Sequence, residues 1–138
     1  MKKKEPVSHI MTKGVYTLKL RNKLEDAEKM FKKHGVRHLP VVDGSKLIGM
    51  LSLTDLQRVS FVDSYEDDNH VDTAVYNLLT IEQIMASKVT TVNVDTTIKE
   101  VAEILSSREF HALPVVEGEN LVGIVTTTDL IRYLLEQY

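Results

Sequence analysis

Leu39-Pro40-Val41-Val42 and Gly49-Met50-Leu51-Ser52-Leu53-Thr54-Asp55 return as Leu113-Pro114-Val115-Val116 and Gly123-Ile124-Val125-Thr126-Thr127-Thr128-Asp129, in the same order, 74 positions on and without a gap. Ile10-Met11 returns as Ile84-Met85 at the same offset, and Val15, Thr17, Gly44, Leu47, Leu56 and Arg58 recur as Val89, Thr91, Gly118, Leu121, Leu130 and Arg132. Fifteen of the fifty pairs from Ile10 to Val59 are identical. Chance gives only a few, so the chain is two copies of one unit and its fold is read one copy at a time.

Each copy opens on a short β-rich run, Gly14-Val15-Tyr16-Thr17-Leu18 or Val89-Thr90-Thr91-Val92. A helical apolar pattern follows. Ile98, Val101, Ala102 and Leu105 obey the i, i+3, i+4, i+7 rule, with Thr97 and Glu100 spaced as a capping box. In the first copy Leu24, Ala27, Met30 and Phe31 mark the inner face and Gly35 offers a C-terminal stop. Its start is less defined: Asn22 with Glu25 offers a cap one position out of register with Thr97 and Glu100.

A hairpin comes next, Leu39 to Val42 turning over Asp43-Gly44-Ser45-Lys46 into Leu47 to Leu51, and Leu113 to Val116 turning over 117–120 into Leu121 to Val125. These strands are near-continuously apolar, which suits a sheet covered on both faces, by helices on one side and by the other copy on the other. A last helix starts at Thr54-Asp55 or Thr128-Asp129, where short polar side chains meet free backbone N–H groups. The unit is β-α-β-β-α, an α/β (α+β) fold. Residues 1–62 form the first unit, 80–138 the second, and 63–79 an acidic connector that reads as a solvated linker, with enough apolar residues over Val71 to Leu79 for a short helix as the alternative.

Composition removes several classes of function. At 138 residues with 43% hydrophobic content the chain can bury a core, and a net charge of −3 of mixed signs provides no basic field for nucleic acid. There is no cysteine, hence no disulfide, thiolate metal site or thiol nucleophile. The basic start Met1-Lys2-Lys3-Lys4 leads into Val7-Ser8-His9 rather than an apolar run, and no stretch of about 18 apolar residues occurs, so a cytoplasmic protein without membrane contact is expected. Neither Gly-x-x-x-x-Gly-Lys nor Gly-x-Ser-x-Gly is present, and the five histidines suggest surface positions or, for His38 and His111, ligand contacts. No metal site and no catalysis are expected. Met11, Met30, Met50 and Met85 read as core.

Over residues 7 to 138 these motifs resemble the paired cystathionine-β-synthase (CBS) domains, the Bateman module. The resemblance implies two units about a pseudo-twofold axis, with clefts that take AMP, ADP, ATP or a related adenosyl ligand. Ser52 and Thr126 would touch phosphate, and Asp55 and Asp129 would accept the ribose hydroxyls. The adenine would lie against the chain after Met11-Thr12 or Met85-Ala86, near Val15, Tyr16, Val89 and Thr90. Arg37, His38, Arg58, His111 and Arg132 are candidate phosphate cations. Thr54, Thr128 and Ala112 complete the set, with Pro40 and Pro114 shaping the strand entrance. Any single Asp or Thr at a helix start is also a plain N-terminal cap. Ala86 replaces Thr12 and Ala112 replaces His38 between copies, so the clefts are expected to differ. The resemblance further implies a homodimer through Leu24 to Lys33, Leu56 to Phe61, Ile98 to Ser107 and Leu130 to Leu135, an effector protein as partner, and no required cofactor, magnesium being compatible with a di- or triphosphate. A ligand-independent interaction scaffold is the alternative.

Overall fold

The computed structural model describes residues 4–64, 78–108 and 110–138. It is mixed α/β and divides into two compact units, Tyr16–Val89 and a second made of Met1–Val15 with Thr90–Tyr138. The units therefore do not follow the sequential halves: residues 4–15 pack with the second copy. Most of the expected acidic connector, at 65–77, lies outside the described residues.

The contiguous unit runs β1 (Leu18–Lys19), α1 (Leu24–His34), β2 (His38–Asp43), β3 (Lys46–Ser52), α2 (Leu53–Ser64) and the short α3 (Ile81–Ile84). β1 lies parallel to β2 and β2 antiparallel to β3. Leu39 to Val42 are buried in succession, as strands covered on both faces must be. β1 faces only Val41 and Val42, so the missing N–H of Pro40 costs the sheet no bond to it. Leu18, Leu24, Ala27, Phe31, Leu39, Val41, Leu51, Leu56 and Ile81 make one core, with Met30 and Met85 packed on it.

The other unit repeats the plan as β4 (Val92–Asn93), α4 (Ile98–Ser107), β5 (Ala112–Glu117), β6 (Asn120–Thr126) and α5 (Thr127–Glu136), preceded by a 3-10 turn at Val7–His9. Its core is Val92, Val101, Leu105, Leu113, Val115 and Val125, and it includes Val7 from the far end of the sequence. The hairpins share one irregularity. Register slips between Val41 and Val42 and again between Val115 and Val116, leaving Ile48 and Val122 as the extra residues.

Three local expectations need correction. The β-rich openings shrink to the two-residue strands at Leu18 and Val92, because residues 15–17 and 89–91 carry no sheet pairing. Asn22 does not cap α1: its Oδ1 accepts the Lys19 N–H at 2.7 Å, closing a turn, and α1 starts after Lys23, whose N–H donates to Asp26 Oδ2 at 2.8 Å. The first-copy helix is thereby in register with α4, where Thr97 Oγ1 accepts the Glu100 N–H at 3.1 Å. The last helix of each unit begins one residue earlier than expected, at Leu53 and Thr127. The αL stop at Gly35 has φ 64°, and its N–H donates to the Phe31 carbonyl.

Candidate functional site

Each unit gathers polar groups where its hairpin runs into its last helix. In the contiguous unit Ser52 ends β3, its Oγ accepts the Asp55 N–H at 3.0 Å, and its own N–H donates to Asp55 Oδ2 at 3.2 Å. This reciprocal cap needs a hydroxyl and a carboxylate three residues apart, which is what the Ser-x-x-Asp spacing supplies. The cap places a hydroxyl and a carboxylate together at the start of a helix, a setting that favours hydrogen-bonding ligands. Arg58, one turn on, holds its Nη1 3.9 Å from Asp55 Oδ1 with the guanidinium largely in solvent.

The opposite strand brings the cations. His38 pairs with Ser52 across the hairpin, and the Arg37 carbonyl accepts the Leu53 N–H at 2.8 Å, fixing the entry to β2 against the start of α2. Arg37 is exposed and His38 half-buried. Pro40, opposite Met50, is fully buried and forms floor rather than contact. The segment after α3 returns to the same strand, where Ala86 and Met50 exchange backbone hydrogen bonds at 2.9 and 3.0 Å. Val89 follows, half-buried, and Thr54 is exposed. Tyr16 is not free to meet a base with both faces: its ring stacks on His34, centroids 3.6 Å apart and planes 12° from parallel.

The second locus is built the same way from two distant pieces of chain. Thr126 caps α5, accepting the Asp129 N–H at 3.1 Å, while its N–H and hydroxyl donate to Asp129 Oδ2 at 2.9 and 3.1 Å. Ala112 stands opposite Thr126, the His111 carbonyl accepts the Thr127 N–H at 3.0 Å, and Pro114 stands opposite Ile124. Thr12 takes the place that Ala86 has in the other unit: it exchanges backbone bonds with Ile124 at 2.8 and 3.0 Å, and its hydroxyl reaches Asp129. His111, Arg132 and Thr128 are exposed, Val15 and Thr90 half-buried.

The candidate residues thus sort by unit. Tyr16, Arg37, His38, Pro40, Ser52, Thr54, Asp55, Arg58 and Val89 belong to one, and Thr12, Val15, Thr90, His111, Ala112, Pro114, Thr126, Thr128, Asp129 and Arg132 to the other. Sequence reasoning read Thr12 within the first copy and missed that it meets the second copy's carboxylate. It also missed Glu5, whose Oε1 accepts the Tyr133 hydroxyl at 2.9 Å. No local signal marks either, since Ile10-Met11-Thr12 and Ile84-Met85-Ala86 look equivalent. His34 and His38 stand four apart, the interval of a helical metal pair, but Gly35 ends α1 between them and His38 is in β2. Among the described residues no group of three or more His, Cys, Asp or Glu side chains is placed to hold a metal ion. No described helix is long and apolar enough to cross a membrane.

Comparison with known proteins yields a consistent picture. The CBS domain model matches residues 7–61 and again 81–136. An uncharacterised protein of Methanocaldococcus jannaschii, MJ0188, is 38% identical over 132 residues, 95% of this chain and 44% of the relative, so the chain spans under half of that protein. Among solved structures, the CBS domain pair of protein MJ0100, in complex with 5′-methylthioadenosine and S-adenosyl-L-methionine, is 28% identical with a TM-score of 0.79, over 96% of this chain and 98% of that one. CBSX2 of Arabidopsis thaliana, in complex with AMP, has a TM-score of 0.81 over 96% and 98% of the two chains; at 24% identity it speaks to the fold.

Proposed function

The chain belongs to the CBS domain family, and we propose that it is a non-catalytic regulatory module that binds an adenine nucleotide of the AMP, ADP or ATP type and passes its occupancy to a partner protein. The observation that carries the reading is the repeated arrangement at Ser52-Asp55 and Thr126-Asp129. Each brings a hydroxyl and a carboxylate together at a helix start, with basic side chains on the neighbouring turn and strand entry. The likeness to MJ0100, whose domain pair binds two adenosyl compounds, supports an adenosyl ligand. Asp55 and Asp129 would take the ribose hydroxyls, Ser52 and Thr126 the phosphate, and Arg37, His38, Arg58, His111 and Arg132 would neutralise it. A di- or triphosphate would bring magnesium with it rather than find it bound.

Thermal unfolding with AMP, ADP, ATP and S-adenosylmethionine tests this. A ligand at a hundred times its dissociation constant adds roughly 2.7 kcal/mol, several degrees in a domain of this size. One ligand should raise the transition of the wild type, and Asp55→Ala and Asp129→Ala should each reduce that gain. A transition that no adenosyl compound moves at millimolar concentration sinks the reading and favours a ligand-independent scaffold.

Regulation through a homodimer is part of the proposal. On α1 and α4 the outer faces carry ion pairs, Glu28 with Lys32 at 3.1 Å and Lys99 with Glu103 at 3.9 Å. On α5 Ile131, Leu134 and Leu135 are exposed instead. Apolar side chains grouped on one helix face suit burial against a second copy of the chain. Leu135→Glu is expected to halve the apparent mass in sedimentation equilibrium at micromolar protein. A variant that sediments as the wild type would remove α5 from the interface.

A further inference from the structure

Asp129 and Asp55 occupy equivalent caps but keep different company. Asp129 is 9% exposed, and its carboxylate accepts hydrogen bonds from neutral donors of its own unit. Thr126 supplies an N–H and a hydroxyl to Oδ2, and the Thr12 hydroxyl lies 3.3 Å from Oδ1 and 3.4 Å from Oδ2, shared between them. Oδ1 has Thr12 as its donor. At Asp55 the cap again loads Oδ2, through the Ser52 N–H, but Ala86 stands in the place of Thr12 and has no hydroxyl to give. Among the described residues Asp55 Oδ1 meets the distant, solvent-exposed Arg58, and its side chain is 29% exposed.

A ribose presents two adjacent hydroxyls, and a carboxylate holds both only if two of its roughly four acceptor directions are open; at Asp129 Thr126 takes the two on Oδ2, which leaves those on Oδ1. Thr12 already fills the place of one of those hydroxyls at Asp129. It is held there by its backbone, which is tied to Ile124 on both sides of the bridge, so the hydroxyl needs only a χ1 rotation to leave and returns without searching. We infer that Thr12 is a built-in competitor for the Asp129 carboxylate, so that a ribose-bearing ligand fills the Asp55 locus first and the Asp129 locus only at higher concentration. The inference rests on the reading of both aspartates as ribose acceptors and adds to it which one is available. The long, shared geometry makes Thr12 a graded competitor rather than a block, because removing it trades one hydroxyl donor for another.

Calorimetric titration of the whole chain with AMP separates the possibilities. Two binding events of unequal affinity are expected, the tighter lost in Asp55→Ala and the weaker in Asp129→Ala. Thr12→Val keeps the branched shape, removes the hydroxyl and should tighten the weaker event about fivefold while leaving the tighter one unchanged. Ala86→Thr should weaken the tighter event by a similar factor. The inference is overturned if Asp129→Ala abolishes the tighter event, or if Thr12→Val weakens or does not alter the weaker one, which would make the hydroxyl a ligand contact or a bystander. Binding that is present but indifferent to Thr12 overturns this inference alone. Absence of binding and of any thermal shift with AMP and S-adenosylmethionine in all variants overturns the ribose reading beneath it.

Discussion

Val7→Asp is expected to cost about 4 kcal/mol and to strike the second copy of the repeat, although Val7 lies at the start of the first. Its side chain is fully buried among Val92, Val101, Leu105 and Val125, and its N–H donates to the Thr96 carbonyl at 2.7 Å. A carboxylate there is set among apolar side chains and loses the apolar burial as well, the combination that produces the largest single-residue effects. Hydrogen exchange resolves where the damage falls. Amides of β5 and β6 should lose protection by roughly a thousandfold, those of β2 and β3 far less. The reverse pattern would mean that the first turn packs with its own copy.

Gly123→Ala comes second. A Cβ at Gly123 would run into the Met11 side chain and sit 3.1 Å from the Thr12 carbonyl oxygen. The methionine can swing aside, but the carbonyl is fixed, because it accepts the Ile124 N–H at 3.0 Å. Overpacking of this kind costs about 1–3 kcal/mol. Urea unfolding should show it, and Met11→Ala in the same chain should recover only part, since the backbone clash stays. Gly49→Ala should behave alike against Met85 and the Ala86 carbonyl. Unchanged stability in Gly123→Ala would mean that the bridge at Thr12 gives way to the added methyl group.

Much of this is legible in the sequence. The constant offset of Leu39-Pro40-Val41-Val42 and Thr54-Asp55 delivered both hairpins and all four long helices, because burial on both strand faces and one helix face leaves a strong apolar pattern. Local chemistry was read less well where two caps compete. Asn22 has the side chain of a helix cap but spends it on Lys19, and Lys23 precedes α1 with no cap of its own beyond the Asp26 carboxylate. The candidate site was legible as a set of residues and illegible as a partition. Nothing within Ile10-Met11-Thr12 says which copy it packs against, since identical apolar residues fit either core. The Thr12 hydroxyl on Asp129 and the Glu5 carboxylate under Tyr133 depend on contacts between residues 117 and 128 positions apart, beyond any local pattern.

That same exchange of the first segment sets a timetable for synthesis. The unit Tyr16–Val89 is contiguous and can close as soon as its own residues have left the ribosome. The other cannot: Glu5 emerges first, yet Tyr133 is joined to the chain 128 residues later. At about 5–20 residues per second the wait lasts many seconds, with Val7, Ile10 and Met11 exposed to water throughout. The distance in sequence also makes this the slower closure. A ribosome paused after Val89 has emerged and before Tyr133 is added would therefore carry one finished unit and, ahead of it, an unpaired apolar segment of the kind chaperones hold.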